Sequence, residues 1–206
     1  RERLLRYLEE HVGKHRYARS LMQWIKATEI TGLRPSEWEN ASIETVFGRL
    51  ALTVQNAKAT NGRANGLTRS IDISRLTKEE LQAIEEMLAM IEGYRQEIPF
   101  KALQLRIGKY MQYATRQAFG KRKKYPTLYS LRHQFSANAK FSGATKSDVA
   151  ALLGHASDET AGIHYARKVS GQDKIRVAPF AAEVKQVRQK AREFIRRQRV
   201  KQSDDG

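Results

Sequence analysis

No cysteine occurs anywhere in the chain. That absence removes disulfides, thiolate nucleophiles and cysteine-based zinc sites together, and it points to an intracellular, cytoplasmic protein. Long apolar runs are missing as well. Nothing approaches the roughly 20 residues a membrane span requires, and no signal-peptide pattern opens the sequence, so no membrane partner is expected. Acidic residues are in short supply: 22 Asp and Glu stand against 38 Lys and Arg, a formal net charge of +16, in a chain that is 40% hydrophobic. The apolar share supports a folded core, and the charge implies an anionic partner. A polyanion fits best, because side chains that neutralise phosphates release condensed counterions and steer association over long range. Three enzyme signatures are also absent. There is no GxSxG elbow and no GxxxxGK[ST] phosphate loop, and the tightest metal-like spacing, His11 and His15 around Gly13, lacks a third ligand nearby.

The 206 residues suffice for one good core, or for a large and a small lobe. The chain starts at Arg1 without Met and enters a helical pattern at once, which reads as a piece cut at a domain boundary. Leu4, Leu5, Leu8 and Val12, then Tyr17, Leu21, Trp24, Ile25, Thr28 and Ile30, predict two opening helices, the second stopping at Thr31-Gly32. Short β-forming stretches follow at 38–45, 49–54 and 69–73. The last two flank NAKATNGRANG, whose two Asn-Gly steps predict a hairpin. A capped start at Leu76-Thr77 returns the chain to helix through about Ile91. Helical periods recur at 101–118, 130–141, 146–153 and 158–166, with Pro126 and Gly143 as breaks. The expected fold is mostly α with a small antiparallel sheet. Residues 179–200 read as one basic helix with Val184, Val187, Ala191, Phe194 and Ile195 on one face, ahead of a polar tail. The expected division is a main domain over 1–178 and a C-terminal helix and tail over 179–206.

Certain polar residues stand where a helical core is otherwise expected. Arg34, in TGLRPSEW, lies just past a helix end, where an arginine is ordinarily a solvated surface residue. Glu37, three positions on, can reach back and fix its guanidinium. Arg132, in TLYSLRHQF, sits between Leu131 and Phe135 on a buried-looking helix. No acid lies within a helical turn of it, so it either pairs with a carboxylate from elsewhere or awaits a ligand. A phosphate matches two planar forks better than it matches lysine point charges. Lys58 occupies the hairpin loop, where it either solubilises or reaches into a groove. His155 follows Gly154 at a helix break and either caps it or faces a cleft. Tyr165, ten residues further, is a core tyrosine or a nucleophile. These parts suit phosphoryl transfer at a DNA backbone: a phenol of pKa about 10 is a poor nucleophile, and paired guanidinium groups on the phosphate oxygens would stabilise the pentacovalent transition state.

TGLRPSEW, a lysine in a β-hairpin, SLRHQF, LLGH and HYAR, in that order, resemble the catalytic domain of the tyrosine recombinases, the phage integrase family, over about residues 15–170. The resemblance implies DNA integration and recombination, as for a mobile genetic element, by cleavage to a 3′-phosphotyrosine and a free 5′ hydroxyl, with no cofactor or metal. It assigns Arg34 and Arg132 as phosphate clamp, Lys58 as general acid, His155 as hydrogen-bond donor to the phosphate and Tyr165 as nucleophile. It departs in two places. Tyr129 stands where the family usually has histidine, able to donate to phosphate but a poor base, and the interval from His155 to Tyr165 is one residue longer than in many relatives. His133 reads as structural. Lys58, Arg63, Arg69 and the run Lys121, Arg122, Lys123, Lys124 are the expected contacts to double-stranded DNA. The family's usual N-terminal clamp domain has no counterpart here, so weak binding and slow cleavage are expected of these residues alone, with a monomer in solution and a homotetramer on DNA. The C-terminal helix packs on its own domain, lies on DNA or docks on a neighbouring protomer. Two other readings fit the same residues: a DNA-binding protein that retains the fold without catalysis, and a relaxing topoisomerase.

Overall fold

Helical periods on both sides of a short β-forming region produce a helical body with a small sheet on one flank. This is a computed structural model, and it describes residues 1–57, 64–158, 171 and 174–187. Two helices, α1 (Glu2–Glu9) and α2 (Ala18–Thr31), lead into a 3₁₀ helix (Pro35–Asn40) and three strands, β1 (Ser42–Val46), β2 (Arg49–Gln55) and β3 (Thr68–Asp72). Then come α3 (Lys78–Arg95), α4 (Phe100–Phe119), α5 (Leu128–Phe141), α6 (Lys146–Leu152), a two-residue strand β4 (Ala178–Pro179) and α7 (Ala181–Gln186). The sheet is antiparallel in the order β1-β2-β3-β4. The expected fold class is the observed one. Among the described residues no helix is long and apolar enough to cross a membrane.

The central element is α2. Its apolar stripe buries Leu21, Trp24 and Ile25 against α3 and α5, whose own apolar faces bring Ile84, Met87 and Phe135 into the same core. The sheet closes that core with Leu52 and Ile71, which oppose each other in the β2–β3 register. The start of α3 is the capping box read from Leu76-Thr77: Thr77 Oγ1 accepts from the Glu80 backbone N–H at 3.3 Å, and the Glu80 carboxylate accepts from the Thr77 N–H at 3.0 Å.

Two expectations are corrected. Residues 38–40 are 3₁₀ helix, because Pro35 fixes the first helical φ and the Trp38 indole N–H, bonded to Thr28 Oγ1 at 3.1 Å, holds that turn onto α2. Ala178 and Pro179, the residues on either side of the expected division, form β4 and pair with Asp72 and Ile71 of β3. The C-terminal stretch is a strand and then a short helix that ends at Val187 in extended conformation, rather than a helix begun at 179. Of the helix expected at 158–166 only Asp158 is described, and residues 188–200 lie outside the described residues.

Candidate active site

The site begins where α2 stops. Gly32 takes the left-handed conformation at φ 67°, and a Cβ there would run into the Phe135 ring, so only glycine lets α5 pass so close to this turn. Two residues later Arg34 caps the 3₁₀ helix. Glu37 folds back onto it, accepting from the Arg34 backbone N–H at 2.8 Å and from its guanidinium at 2.5 Å. Proximity in sequence thus produces the Arg34–Glu37 pair that the TGLRPSEW motif suggested.

Glu37 then serves two arginines that lie far away in the chain. Arg69 of β3 grips both of its oxygens, at 3.1 and 2.8 Å, and Arg132 of α5 stands at 3.5 Å. The carboxylate that Arg132 needed for burial comes from the 3₁₀ helix rather than from its own. Arg69 was expected on DNA, and this is corrected: it is 1% exposed, and its remaining donors go to Asn56 Oδ1 and, at 3.0 Å, to the Leu152 carbonyl. The alternation of β3 carries the signal that places it. Arg69, Ile71 and Ile73 share the face turned to the core, so a buried partner had to exist for it. Asn56, which the sequence did not single out, also ties the base of the β2–β3 loop by donating to the carbonyls of Asn65 and Gly66 at 2.9 and 3.1 Å.

The LLGH motif is the end of α6, built as a Schellman turn. Gly154, at φ 60°, donates to Ala151 O at 2.9 Å, and the His155 N–H donates to Ala150 O at 2.8 Å. A Cβ at 154 would strike Asn56 and Arg69, so the glycine is required by packing as well as by φ. The turn leaves the carbonyls of Leu152 and Leu153 at the negative end of the helix, where Arg69 and Arg132 each take one. Arg132 also donates to Gly32 O at 2.7 Å and faces His155 Nε2 at 3.3 Å. That contact makes Nε2 an acceptor and puts the imidazole proton on Nδ1.

Among the described residues, three guanidinium groups around one carboxylate leave a formal excess of two positive charges. Burial by itself would raise the Glu37 carboxyl, but attraction to Arg69, Arg132 and Arg34 outweighs it and holds the group well below the usual carboxylate range. His155 is pushed down to about 2, first by burial and then by Arg132, Arg34 and Arg69, so it is neutral at working pH. This has a measurable consequence. An ordinary histidine in the unfolded chain titrates near 6.5, so below that pH the unfolded state binds a proton that the folded state refuses, and stability falls as pH falls. Between pH 7 and 5 the wild-type chain is expected to lose about 1–2 kcal/mol more than His155→Gln, read from urea midpoints. Equal losses would show that His155 charges in the fold.

Arg34 lines a cleft of about 430 Å³ whose walls include Lys109 and Gln112 of α4 and Tyr129 at the start of α5. Tyr129 is 37% exposed there, and its ring meets that of His133 edge-on at 5.3 Å. His133 is lowered by burial and by Arg132, in keeping with a supporting place. Lys121, Arg122, Lys123 and Lys124 are all exposed on the α4–α5 loop, which leads into the same wall. His11 and His15 are used in ring stacking, on Tyr7 and Tyr110. Arg34, Glu37, Arg132, His133 and His155 are therefore brought together, with Tyr129 on the adjoining wall. Lys58, Arg63 and Tyr165 lie outside the described residues.

Comparison with curated proteins gives no match. Among solved structures, the XerA recombinase aligns with a TM-score of 0.51 at 19% identity, over 81% of this chain and 60% of that one, a likeness of fold. This chain thus spans about 60% of the length of that relative. The phage integrase family matches residues 2–171, which include TGLRPSEW, SLRHQF, LLGH and HYAR. On that match, the chain belongs to the phage integrase family.

Proposed function

We propose that this chain is the catalytic domain of a site-specific DNA recombinase that cuts and rejoins double-stranded DNA through a 3′-phosphotyrosine. The observation that carries the reading is the buried excess of two positive charges around Glu37, with Arg34 at the wall of an open cleft. A DNA phosphate placed there sets its negative charge against the three guanidinium groups. The phenolic oxygen of Tyr165 bonds to phosphorus, and the bond to the 5′ oxygen breaks. Lys58 gives that oxygen its proton, while the phenol loses its own to solvent. The bond energy stays in the ester, so a 5′ hydroxyl from another strand can reverse the step and rejoin. Arg34 binds a non-bridging oxygen from the cleft, Arg132 adds charge from beneath it, and the neutral His155 donates through its ring N–H. The exposed run 121–124, with Arg63, follows the flanking phosphates, and four copies assemble on two duplexes inside the cell that carries the DNA. The division into a catalytic part ending at 178 and a C-terminal part from 179 belongs to the same reading.

A pool of nicked duplexes of randomised sequence tests it. The expected result is an SDS-resistant protein–DNA adduct, formed in the presence of EDTA and releasing a 5′ hydroxyl. DNA retention on a filter with no adduct would leave only a binding protein, and an adduct accompanied by sequence-independent relaxation of supercoils would make the chain a topoisomerase.

A further inference from the structure

Arg69 is a third arginine on a carboxylate, Glu37, that among the described residues already faces two. Adding it costs like-charge repulsion and the desolvation of a guanidinium, and no DNA contact offsets that cost, since the residue is 1% exposed. Its grip differs from that of the other two. Arg69 holds both Glu37 oxygens, whereas the Arg34 guanidinium meets Oε1 alone and Arg132 meets Oε2 at 3.5 Å. Asn56 and the Leu152 carbonyl fix the grip from behind.

We infer that Arg69 is a positioning residue for the reaction: it immobilises Glu37 so that this carboxylate seats Arg34 and Arg132 without neutralising them. Without it, Glu37 turns to pair closely with Arg34 and Arg132, and the excess charge presented to a phosphate falls from two to one. The inference rests on the strand-cleavage reading above, and it goes further by assigning the phosphate's charge recognition in part to a residue that never touches the substrate.

The test uses a duplex recovered from the randomised pool, made with either a phosphodiester or a neutral methylphosphonate at the scissile position. Arg69→Lys keeps the charge and loses the fork; Arg69→Met loses both. With the phosphodiester, Arg69→Met is expected to form adduct at least about 30-fold more slowly than wild type and Arg69→Lys about 10-fold more slowly, with filter-binding affinity unchanged within about threefold. With the methylphosphonate, which removes the charge the cluster must meet, the gap between wild type and either variant should shrink to about threefold. A variant that merely loosens the fold keeps the same deficit on both substrates, and that result overturns the inference, as does wild-type cleavage of the phosphodiester by Arg69→Met. Should neither variant unfold cooperatively, Asn56→Ala, which removes the acceptor behind Arg69, must show the same substrate-dependent deficit or the inference fails. A wild-type chain that forms no adduct with any duplex of the pool removes the cleavage reading itself, which separates the two failures.

Discussion

Glu37→Ala is expected to lower the free energy of unfolding by about 3–5 kcal/mol, the range for removing one partner of a buried ion pair. Since whole domains are stable by only about 5–15 kcal/mol, the variant should be close to unfolded at 37 °C. The size follows from what remains: Arg34 at 5%, Arg69 at 1% and Arg132 at 0% exposure would face one another without the carboxylate that they share. Glu37→Gln, which keeps volume and acceptor oxygen, should fall between wild type and alanine. Urea unfolding at pH 7 measures both, and a loss under about 1 kcal/mol would mean that the three guanidinium groups are already satisfied by carbonyls such as those of Gly32, Leu152 and Leu153. Acid supplies a second reading of the same group. The folded carboxyl lies below its ordinary value of 4.5, so its stabilisation is complete above about pH 4.5 and is lost as pH drops toward the folded value. Wild type should therefore lose stability below pH 4.5 more steeply than Glu37→Gln.

Arg34→Lys should slow adduct formation by about 100-fold while leaving the fold nearly intact. A lysine ammonium can still pair with Glu37, so the buried charge balance is kept. What disappears is the planar fork that can hold Glu37 and a phosphate oxygen together. Losses of this order accompany removal of one preorganised donor to a developing oxyanion. DNA affinity should change little, because one phosphate contact is a small part of a binding surface that includes the exposed run 121–124. Single-turnover rates and filter binding on the same preparation separate the two effects. An equal drop in affinity and rate would make Arg34 a binding contact rather than part of the transition-state machinery.

Legibility from sequence followed the range of the interactions. The Arg34–Glu37 pair, the Thr77 capping box and the glycine turn before His155 are local, spanning three to five residues, and their residue types announce them. The fold class followed from periodicity for the same reason. Glu37 as the shared partner of Arg69 and Arg132 was hidden, because nothing local links a 3₁₀ helix to β3 or to α5. Arg69 was misread for a different cause: its charge suggested DNA, while its place on the same strand face as Ile71 and Ile73 already required burial. β4 escaped because two residues, one of them a proline without an N–H, carry no strand pattern, and only the pairing with β3 defines it.

The account depends on the arginine cluster making a DNA phosphorus open to attack by Tyr165, and the position of the covalent link tests that most directly. Protease digestion of the adduct followed by mass spectrometry should find the DNA on the peptide containing Tyr165, and Tyr165→Phe should form no adduct while keeping the wild-type unfolding midpoint. A link at Tyr129, which lines the same cleft as Arg34, or an adduct that persists in Tyr165→Phe, would contradict it.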